Sequence, residues 1–178
     1  AGLVEREMDP YDFWLDTYEE GMTQEFCDKF FAELRAKLVP LIAKVGAAEP
    51  PDTSLLNVRF PLDKQAELSG WLMRFLGLDP DRSALTTTEH PFTIDFSRYD
   101  VRITTKYYED AFASSMFSVI HEGGHALYEL GTAEEYAFTQ LGRGVSMGVH
   151  ESQSRFFENI IGRSRAFCSL AWPELVRL

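Results

Sequence analysis

The chain has 178 residues, of which 45% are hydrophobic, and this fits a single domain, 1–178, with a core of its own. A net charge of −11 argues against binding to nucleic acid or to an anionic membrane, because both need clustered Lys and Arg. The two cysteines, Cys27 and Cys168, form neither a disulfide framework nor a cysteine metal site, and we interpret both as small core residues.

The N-terminal part of the chain is predicted to form two helices. The first spans 11–20 and is opened by the Asp-Pro pair at 9–10. The second is longer, with Thr23 as its N-cap and Gly46 as its end. Pro40 is expected to kink this second helix, because proline removes one backbone hydrogen bond and clashes with the preceding turn.

The longer helix carries an aromatic stripe. Phe26, Phe30 and Phe31 recur at helical spacing, so we interpret the stripe as part of the core rather than as a binding surface. A third helix is predicted over 62–76, where it ends at Gly77. Its role is expected to be structural.

The pattern changes between 93 and 107. β-Branched and aromatic residues there flank a turn at 97–100, which predicts a small β-hairpin. A strand edge beside a metal-binding helix can hold an extended peptide through main-chain hydrogen bonds. We expect this edge to serve that purpose.

The segment HEGGH at 121–125 lies in a helix predicted over 110–130. Because residues four positions apart project from one face of a helix, His121 and His125 can hold a single metal ion. Glu122 lies beside them, where it can take a proton from a water as a general base. The spacing indicates a metallopeptidase, although an HEXXH pattern also arises by chance in unrelated helices.

Glu151 is the natural third ligand, because a catalytic zinc takes three protein ligands and two histidines with one glutamate are a known set. It lies in a helix predicted over 149–167, which can pack antiparallel to the first. Each central glycine, Gly123 and Gly124, costs about 1 kcal/mol relative to alanine in a helix. A substrate or another backbone is therefore expected to approach closely there.

These elements predict a mainly α fold: a helical metallopeptidase core with a small antiparallel β-hairpin or sheet beside the HEXXH helix. Glu129 and Glu158 each lie about one turn from a predicted ligand. Each can therefore orient an imidazole through its second nitrogen, and a position on the surface is the alternative for both.

Five segments follow one another in a fixed order: HPF at 90–92, DVRIT at 100–104, HEGGH at 121–125, HESQ at 150–153 and SRFFEN at 154–159. Together they resemble the signature motifs of the carboxypeptidase Taq family, the thermostable zinc carboxypeptidases. The resemblance runs through most of the chain.

The resemblance implies a mostly helical metallocarboxypeptidase that removes single residues from peptide C-termini, binds zinc or cobalt and forms a homodimer. It implies that the metal ligands are His121, His125 and Glu151. It also implies that Glu122 is the general base, which takes a proton from a metal-activated water.

Two further residues match family motifs near the active site, His90 and Arg102, and the resemblance implies that they contact substrate or support the ligands. The alternatives are that His90 caps a turn before Pro91 and that Arg102 forms a solvated ion pair with Asp100 or Asp95.

Family members are more than twice as long as this chain, which is therefore expected to be the partial, zinc-binding catalytic region of a longer enzyme. Two alternative functions stay open, namely a compact gluzincin endopeptidase and a catalytically inactive metal-binding fragment. No signal peptide or membrane span is visible in the sequence, so a cytoplasmic setting is expected.

Overall fold

The computed structural model describes residues 8–56 and 58–178, apart from the side chain of Leu55. By their contacts, the residues divide into two compact units, 1–52 and 53–178. Among the described residues, no helix is both long and apolar enough to cross a membrane.

The first unit contains helix α1, Pro10–Tyr18, and helix α2, Gln24–Gly46. The side chain of Asp9 accepts a hydrogen bond from the Tyr11 amide at the start of α1, as the sequence predicts for an N-cap. Thr23 caps α2 in the same way, which confirms its predicted start. Pro40 lies inside α2, which continues to Gly46 as one helix.

The aromatic stripe of α2 is exposed, so its interpretation as core is wrong for this unit. Phe26, Phe30 and Phe31 are 54%, 49% and 58% exposed. A helical period predicts which side of a helix is apolar, but burial requires another element to cover that side. In the described residues of α1 and α2, no side chain is buried.

The second unit begins with a short 3₁₀ turn, Ser54–Leu56, and continues with helix α3, Leu62–Leu76. Helix α3 has the predicted bounds, and Gly77 ends it with a left-handed backbone of φ +75°. Three strands follow, namely β1 (Ser83–Thr87), β2 (Thr93–Ser97) and β3 (Asp100–Thr105).

The sheet has the order β1-β3-β2. Strands β2 and β3 pair antiparallel, as the sequence predicts, with an irregularity between Asp95 and Ser97. Strand β1 pairs parallel with β3, so the sheet is mixed rather than a simple hairpin. The sequence Ser83–Thr87 has little apolar alternation, and only its pairing with β3 reveals it as a strand.

The metal helix predicted over 110–130 is helix α4, Phe112–Leu130. A 3₁₀ turn at Glu134–Tyr136 and helix α5, Met147–Arg155, follow it. The chain then forms a π-helical segment, Phe156–Gly162, and helix α6, Arg165–Arg177.

The prediction of one continuous helix over 149–167 is wrong. The chain leaves helical geometry after the π-helical segment, and Ser164 begins α6 by accepting a hydrogen bond from the Phe167 amide. A serine favours such a cap because its hydroxyl satisfies an amide that the helix leaves free. Cys168 in α6 is exposed and Cys27 in α2 is half-buried, so the expectation of two core cysteines is also wrong.

Helix α4 lies at the centre of the second unit, where it packs against β2, β3, α3, α5 and the π-helical segment. Its residues are accordingly apolar on several sides, and it contributes much of the core. The largest apolar side chains of this core that are fully buried are Leu68, Leu72, Val101, Ile103, Val119 and Ile120.

Candidate metal centre

The three residues predicted as metal ligands lie together between α4 and α5. Nε2 of His121 is 3.6 Å from Oε2 of Glu151, and Nε2 of His125 is 3.3 Å from the same oxygen. The three groups each offer a ligand atom, and these atoms lie within 4.8 Å of one another. All three residues are half-buried, so one side of the cluster faces solvent.

Gly124 allows α5 to approach this closely. A Cβ atom at this position would lie 2.8 Å from the Cα atom of Ser154 and 3.1 Å from the carbonyl oxygen of Gln153. At Gly123, an added Cβ would collide with the side chain of Leu76. The expectation that another backbone approaches the two glycines is therefore confirmed at Gly124, because α5 could not carry Glu151 to the histidines past a larger residue.

The donor set suits a divalent metal ion. Burial, together with the nearby His150 and His121, lowers the pKa of His125 to about 4, so this imidazole is neutral at pH 7. Burial raises the pKa of Glu151, but hydrogen bonds from Arg155 and Ser154 outweigh that effect and hold the pKa below its ordinary value. Glu151 is therefore a carboxylate, and two imidazoles with one carboxylate form a set that catalytic zinc uses.

Glu122 lies next to this cluster, and its carboxyl group is shielded from water. The residue is 7% exposed. The Thr93 hydroxyl group, at the start of β2, donates a hydrogen bond of 2.6 Å to Oε2 of Glu122. Burial raises the pKa of Glu122 in spite of this bond. Sequence reasoning missed Thr93, because only the packing of β2 on α4 brings it to the glutamate.

Glu158 lies behind His121. Its Oε2 atom is 3.0 Å from Nδ1 of His121, and its Oε1 atom accepts a hydrogen bond of 2.7 Å from Arg163. Burial acts to raise the pKa of Glu158, but the hydrogen bonds with Arg163 and His121 together outweigh it and hold the pKa below its ordinary value. The group is therefore ionised. The structure thus brings a carboxylate to the second nitrogen of His121, and Arg155 contacts the same carboxylate at 3.2 Å.

Glu129 has a different neighbour from the one that its position in the sequence suggests. Its Oε1 atom lies 2.6 Å from Nε2 of His150, and Nδ1 of His150 lies 2.6 Å from Nδ1 of His125. An imidazole therefore stands between Glu129 and the ligand. His150 belongs to the HESQ segment, but sequence reasoning gave it no role, since a contact between two helices cannot be read from spacing alone.

His90 and Arg102 lie outside the cluster of ligands. Arg102 forms an exposed ion pair of 2.8 Å with Asp100, which is the alternative considered for it above. His90 is exposed and its Nδ1 atom lies 2.8 Å from the carbonyl oxygen of Pro91, although it is close enough to act electrostatically on Glu122.

A cavity of about 470 Å³ opens beside His121 and Glu122. Phe117 gives it an apolar wall, and the charged residues of its lining are Arg155, Arg163, Glu122 and Glu158. Such a volume is typical of sites for small ligands.

A buried glutamate beside two histidines and a carboxylate, on a helix of HEXXH sequence, is an arrangement typical of metallopeptidases. The sequence model of one family, described as carboxypeptidase Taq (M32) metallopeptidase, matches residues 1–178, and the chain belongs to this family. The resemblance noted from the five motifs is thereby confirmed.

Individual relatives agree with this assignment. The chain is 46% identical over 159 residues to carboxypeptidase 1 of Bacillus subtilis, covering 89% of the chain and 32% of that protein. It is 42% identical over 172 residues to thermostable carboxypeptidase 1 of Pyrococcus furiosus, covering 95% of the chain and 34% of that protein. The chain therefore spans about a third of the length of these relatives.

Solved structures give the same result for the fold. The M32 carboxypeptidase of Deinococcus radiodurans R1 superposes with a TM-score of 0.88 at 43% identity, over 95% of this chain and 34% of that one. The crystal structure of BsuCP superposes with a TM-score of 0.90 at 43% identity, over 96% of this chain and 35% of that one. The prediction of a mainly α fold with a small sheet is confirmed.

Proposed function

We propose that the chain carries the metal-binding and catalytic part of a zinc-dependent metallocarboxypeptidase. In this proposal His121, His125 and Glu151 hold the ion, and Glu122 is the general base. One observation carries it: the Nε2 atoms of both histidines face a single oxygen of Glu151, at 3.6 and 3.3 Å, beside a buried carboxyl group.

A divalent ion such as Zn²⁺ supplies two effects when bound: it lowers the pKa of a water and polarises the carbonyl group of the scissile bond. The protein supplies the proton transfer. Thr93 holds the carboxylate in place by donating a hydrogen bond to Oε2 of Glu122, and the carboxylate accepts the proton of the attacking water. Burial raises the pKa of Glu122, which makes its carboxylate a stronger base towards the water. The protonated group then returns this proton to the leaving amine.

Peptides are the proposed substrates. The cavity beside Glu122 is lined by Phe117, Arg155 and Arg163. Both guanidinium groups pair with Glu158 but are about half exposed, with side-chain exposures of 54% and 49%, so each can also bind the carboxylate of a C-terminal residue. Substrate contacts by His90 and Arg102 remain predictions, as does a homodimer.

The test is peptide hydrolysis by the purified chain supplied with Zn²⁺, followed by mass spectrometry. We expect single residues to leave a peptide with a free C-terminus, and no cleavage of the same peptide as a C-terminal amide. Equal cleavage of both would favour the endopeptidase alternative. Metal binding without cleavage of either would favour the inactive fragment.

The matched variant is Glu122→Gln, which keeps the size of the side chain and removes the base. We expect it to bind Zn²⁺ like the parent chain and to lose about 100- to 10,000-fold in hydrolysis rate. Substantial residual turnover with bound metal would contradict the role of Glu122.

A further inference from the structure

His150 lies between a buried carboxylate and a proposed metal ligand. Glu129, His150 and His125 form a chain of two contacts, each 2.6 Å long. Glu129 is 6% exposed, so its carboxylate has little access to water. The contact between the two imidazoles joins Nδ1 to Nδ1, and such a contact needs a hydrogen on one nitrogen and a lone pair on the other.

The positions of the protons follow from the two ends of this chain of contacts. The carboxylate of Glu129 can only accept a hydrogen bond, so Nε2 of His150 carries a hydrogen. If the ring is neutral, Nδ1 of His150 then carries a lone pair and no hydrogen. It can only accept a hydrogen bond from Nδ1 of His125. The hydrogen of His125 is therefore on Nδ1, and its Nε2 presents a lone pair towards Glu151 and the metal centre.

Glu151 offers His125 a competing arrangement. Its Oε2 atom is 3.3 Å from Nε2 of His125 and could accept a hydrogen from that nitrogen. Nδ1 of His125 would then need a hydrogen from His150, and a neutral His150 would turn a lone pair towards Glu129 at 2.6 Å. Two electron-rich atoms at this distance repel each other, so Glu129 disfavours the competing arrangement.

The ring of His150 is also held in place by its neighbours. The ring of Tyr128 packs edge-on against it with centroids 5.0 Å apart. A Cβ atom added at Gly144 would lie 2.6 Å from Cδ2 of His150, so the loop backbone closes over the ring. His150 therefore cannot turn away without a rearrangement of this loop.

We propose that His150 is a positioning residue of the metal centre, which transmits the hydrogen-bonding preference of Glu129 to His125 and holds His125 in the Nδ1–H tautomer. This inference rests on the proposed function for its purpose, since that tautomer is the one whose Nε2 can bind metal. The tautomer itself exists without metal or substrate and can be measured separately.

The experiment is nuclear magnetic resonance of the metal-free chain labelled with ¹⁵N in histidine, in which long-range correlations identify the protonated nitrogen of each ring. We expect Nδ1–H for His125 and Nε2–H for His150. In His150→Phe, which keeps a ring and removes both nitrogens, we expect His125 to change to Nε2–H and to donate to Glu151. His150→Asn retains an acceptor near the place of Nδ1 and is expected to restore part of the Nδ1–H form.

The control variant is Tyr128→Phe, which keeps the ring that packs on His150 and removes only its hydroxyl group. It is expected to leave the tautomer of His125 unchanged. The inference would be overturned if His125 in the parent chain carried its hydrogen on Nε2, or if His150 were doubly protonated. Both are measured on the parent chain, so they do not depend on whether a variant folds. An unchanged tautomer in a folded His150→Phe chain would overturn it as well.

Competition with a chromogenic chelator gives a second measurement. We expect Zn²⁺ to bind His150→Phe about 10- to 100-fold more weakly than the parent chain, as is usual when a residue behind a ligand is lost, and His150→Asn to lie between them. Failure of hydrolysis with the expected tautomers would count against the proposed function alone. If the chain hydrolyses peptides but His125 carries its hydrogen on Nε2 before metal is added, the role of His150 would be wrong and the proposed function would stand.

Discussion

The two histidines of the HEGGH segment lie one turn apart on α4, yet different groups contact the Nδ1 atoms of their rings. His121 meets the carboxylate of Glu158 directly, at 3.0 Å, and that carboxylate is held by Arg163. His125 meets a second imidazole, His150, which in turn meets a carboxylate. The first arrangement ties α4 to the π-helical segment, whereas the second runs from α4 to α5 and back to α4.

Two histidines in equivalent positions on one helix therefore have different hydrogen-bonding partners at Nδ1. Glu129 is four positions after His125, where a direct contact would be expected. In the structure, α5 lies close enough to α4 for an imidazole to enter between them. Loss of Glu151, which both histidines face, should affect both arrangements, whereas loss of Glu158 or Glu129 should affect one of them.

The largest effect is expected from Glu151→Ala, since the Nε2 atoms of both histidines face this carboxylate. The loss of a ligand should weaken Zn²⁺ binding more than the loss of a residue that hydrogen-bonds to a ligand, which costs roughly 10- to 100-fold. Elemental analysis and chelator competition measure it, with Glu135→Ala as an exposed control on another segment. Full zinc content in Glu151→Ala would show that the two histidines bind metal without it.

Glu158→Gln and Glu129→Gln separate the two arrangements. Glu158 contacts His121 directly and is also bonded to Arg163, so its loss should weaken Zn²⁺ binding about 10- to 100-fold. Glu129→Gln should cost less, because the amide oxygen can still accept a hydrogen from His150. Chelator competition compares them, and a larger effect from Glu129 would reverse the order of importance proposed here.

Gly124→Ala should weaken both arrangements by forcing α5 away from α4. The new Cβ would lie 2.8 Å from the backbone of Ser154, and such overpacking costs about 1–3 kcal/mol. Gly70→Ala in α3 is the matched control, since its Cβ would meet nothing closer than the end of the Arg74 side chain at 3.7 Å. This control should gain up to about 1 kcal/mol from helix propensity. Urea unfolding measures both changes, and equal stability of the two variants would contradict the close approach.

Two groups beside the metal centre change stability with pH in opposite directions: Glu122, whose raised pKa favours the folded chain as pH falls, and His125. The pKa of His125 falls from an ordinary 6.5 to about 4 in the folded chain, mainly through burial. Between these values His125 binds a proton in the unfolded chain but not in the folded chain, so its contribution to stability decreases as pH falls from 6.5 to about 4.

Urea unfolding of the metal-free chain across this range measures that decrease, and His125→Gln should reduce it. The carboxylates of Glu151 and Glu158 act at lower pH: their pKa values are lowered from 4.5, so their contribution is present above 4.5 and is lost as pH falls through the lowered values. The same decrease in His125→Gln would mean that other groups cause it.

The smallest effect is expected from Arg102→Gln. The pair of Arg102 with Asp100 is exposed, so its loss should change stability little, and Zn²⁺ binding should not change. If the chain hydrolyses peptides, a raised KM with unchanged metal content would identify Arg102 as a substrate contact. Loss of metal would instead place it among the residues that support the ligands.

The local features of this protein can be predicted from its amino-acid sequence. The Asp and Thr caps of α1 and α2, the bounds of α3 and the hairpin of β2 and β3 all follow from short-range patterns, as confirmed above. The placement of His121 and His125 on one helix face is local in the same sense. Each depends on residues within one or two turns, where backbone geometry fixes the relative positions of side chains.

Tertiary packing brings distant elements together in ways that no local pattern predicts. It made Ser83–Thr87 a strand by pairing it with β3, and it left Phe26, Phe30 and Phe31 exposed although their period is that of a core helix. It also brought Thr93 to Glu122 and inserted His150 between His125 and Glu129. These contacts join residues far apart in the chain, and their geometry depends on how closely whole helices and strands pack, which the spacing of residues along one element does not encode.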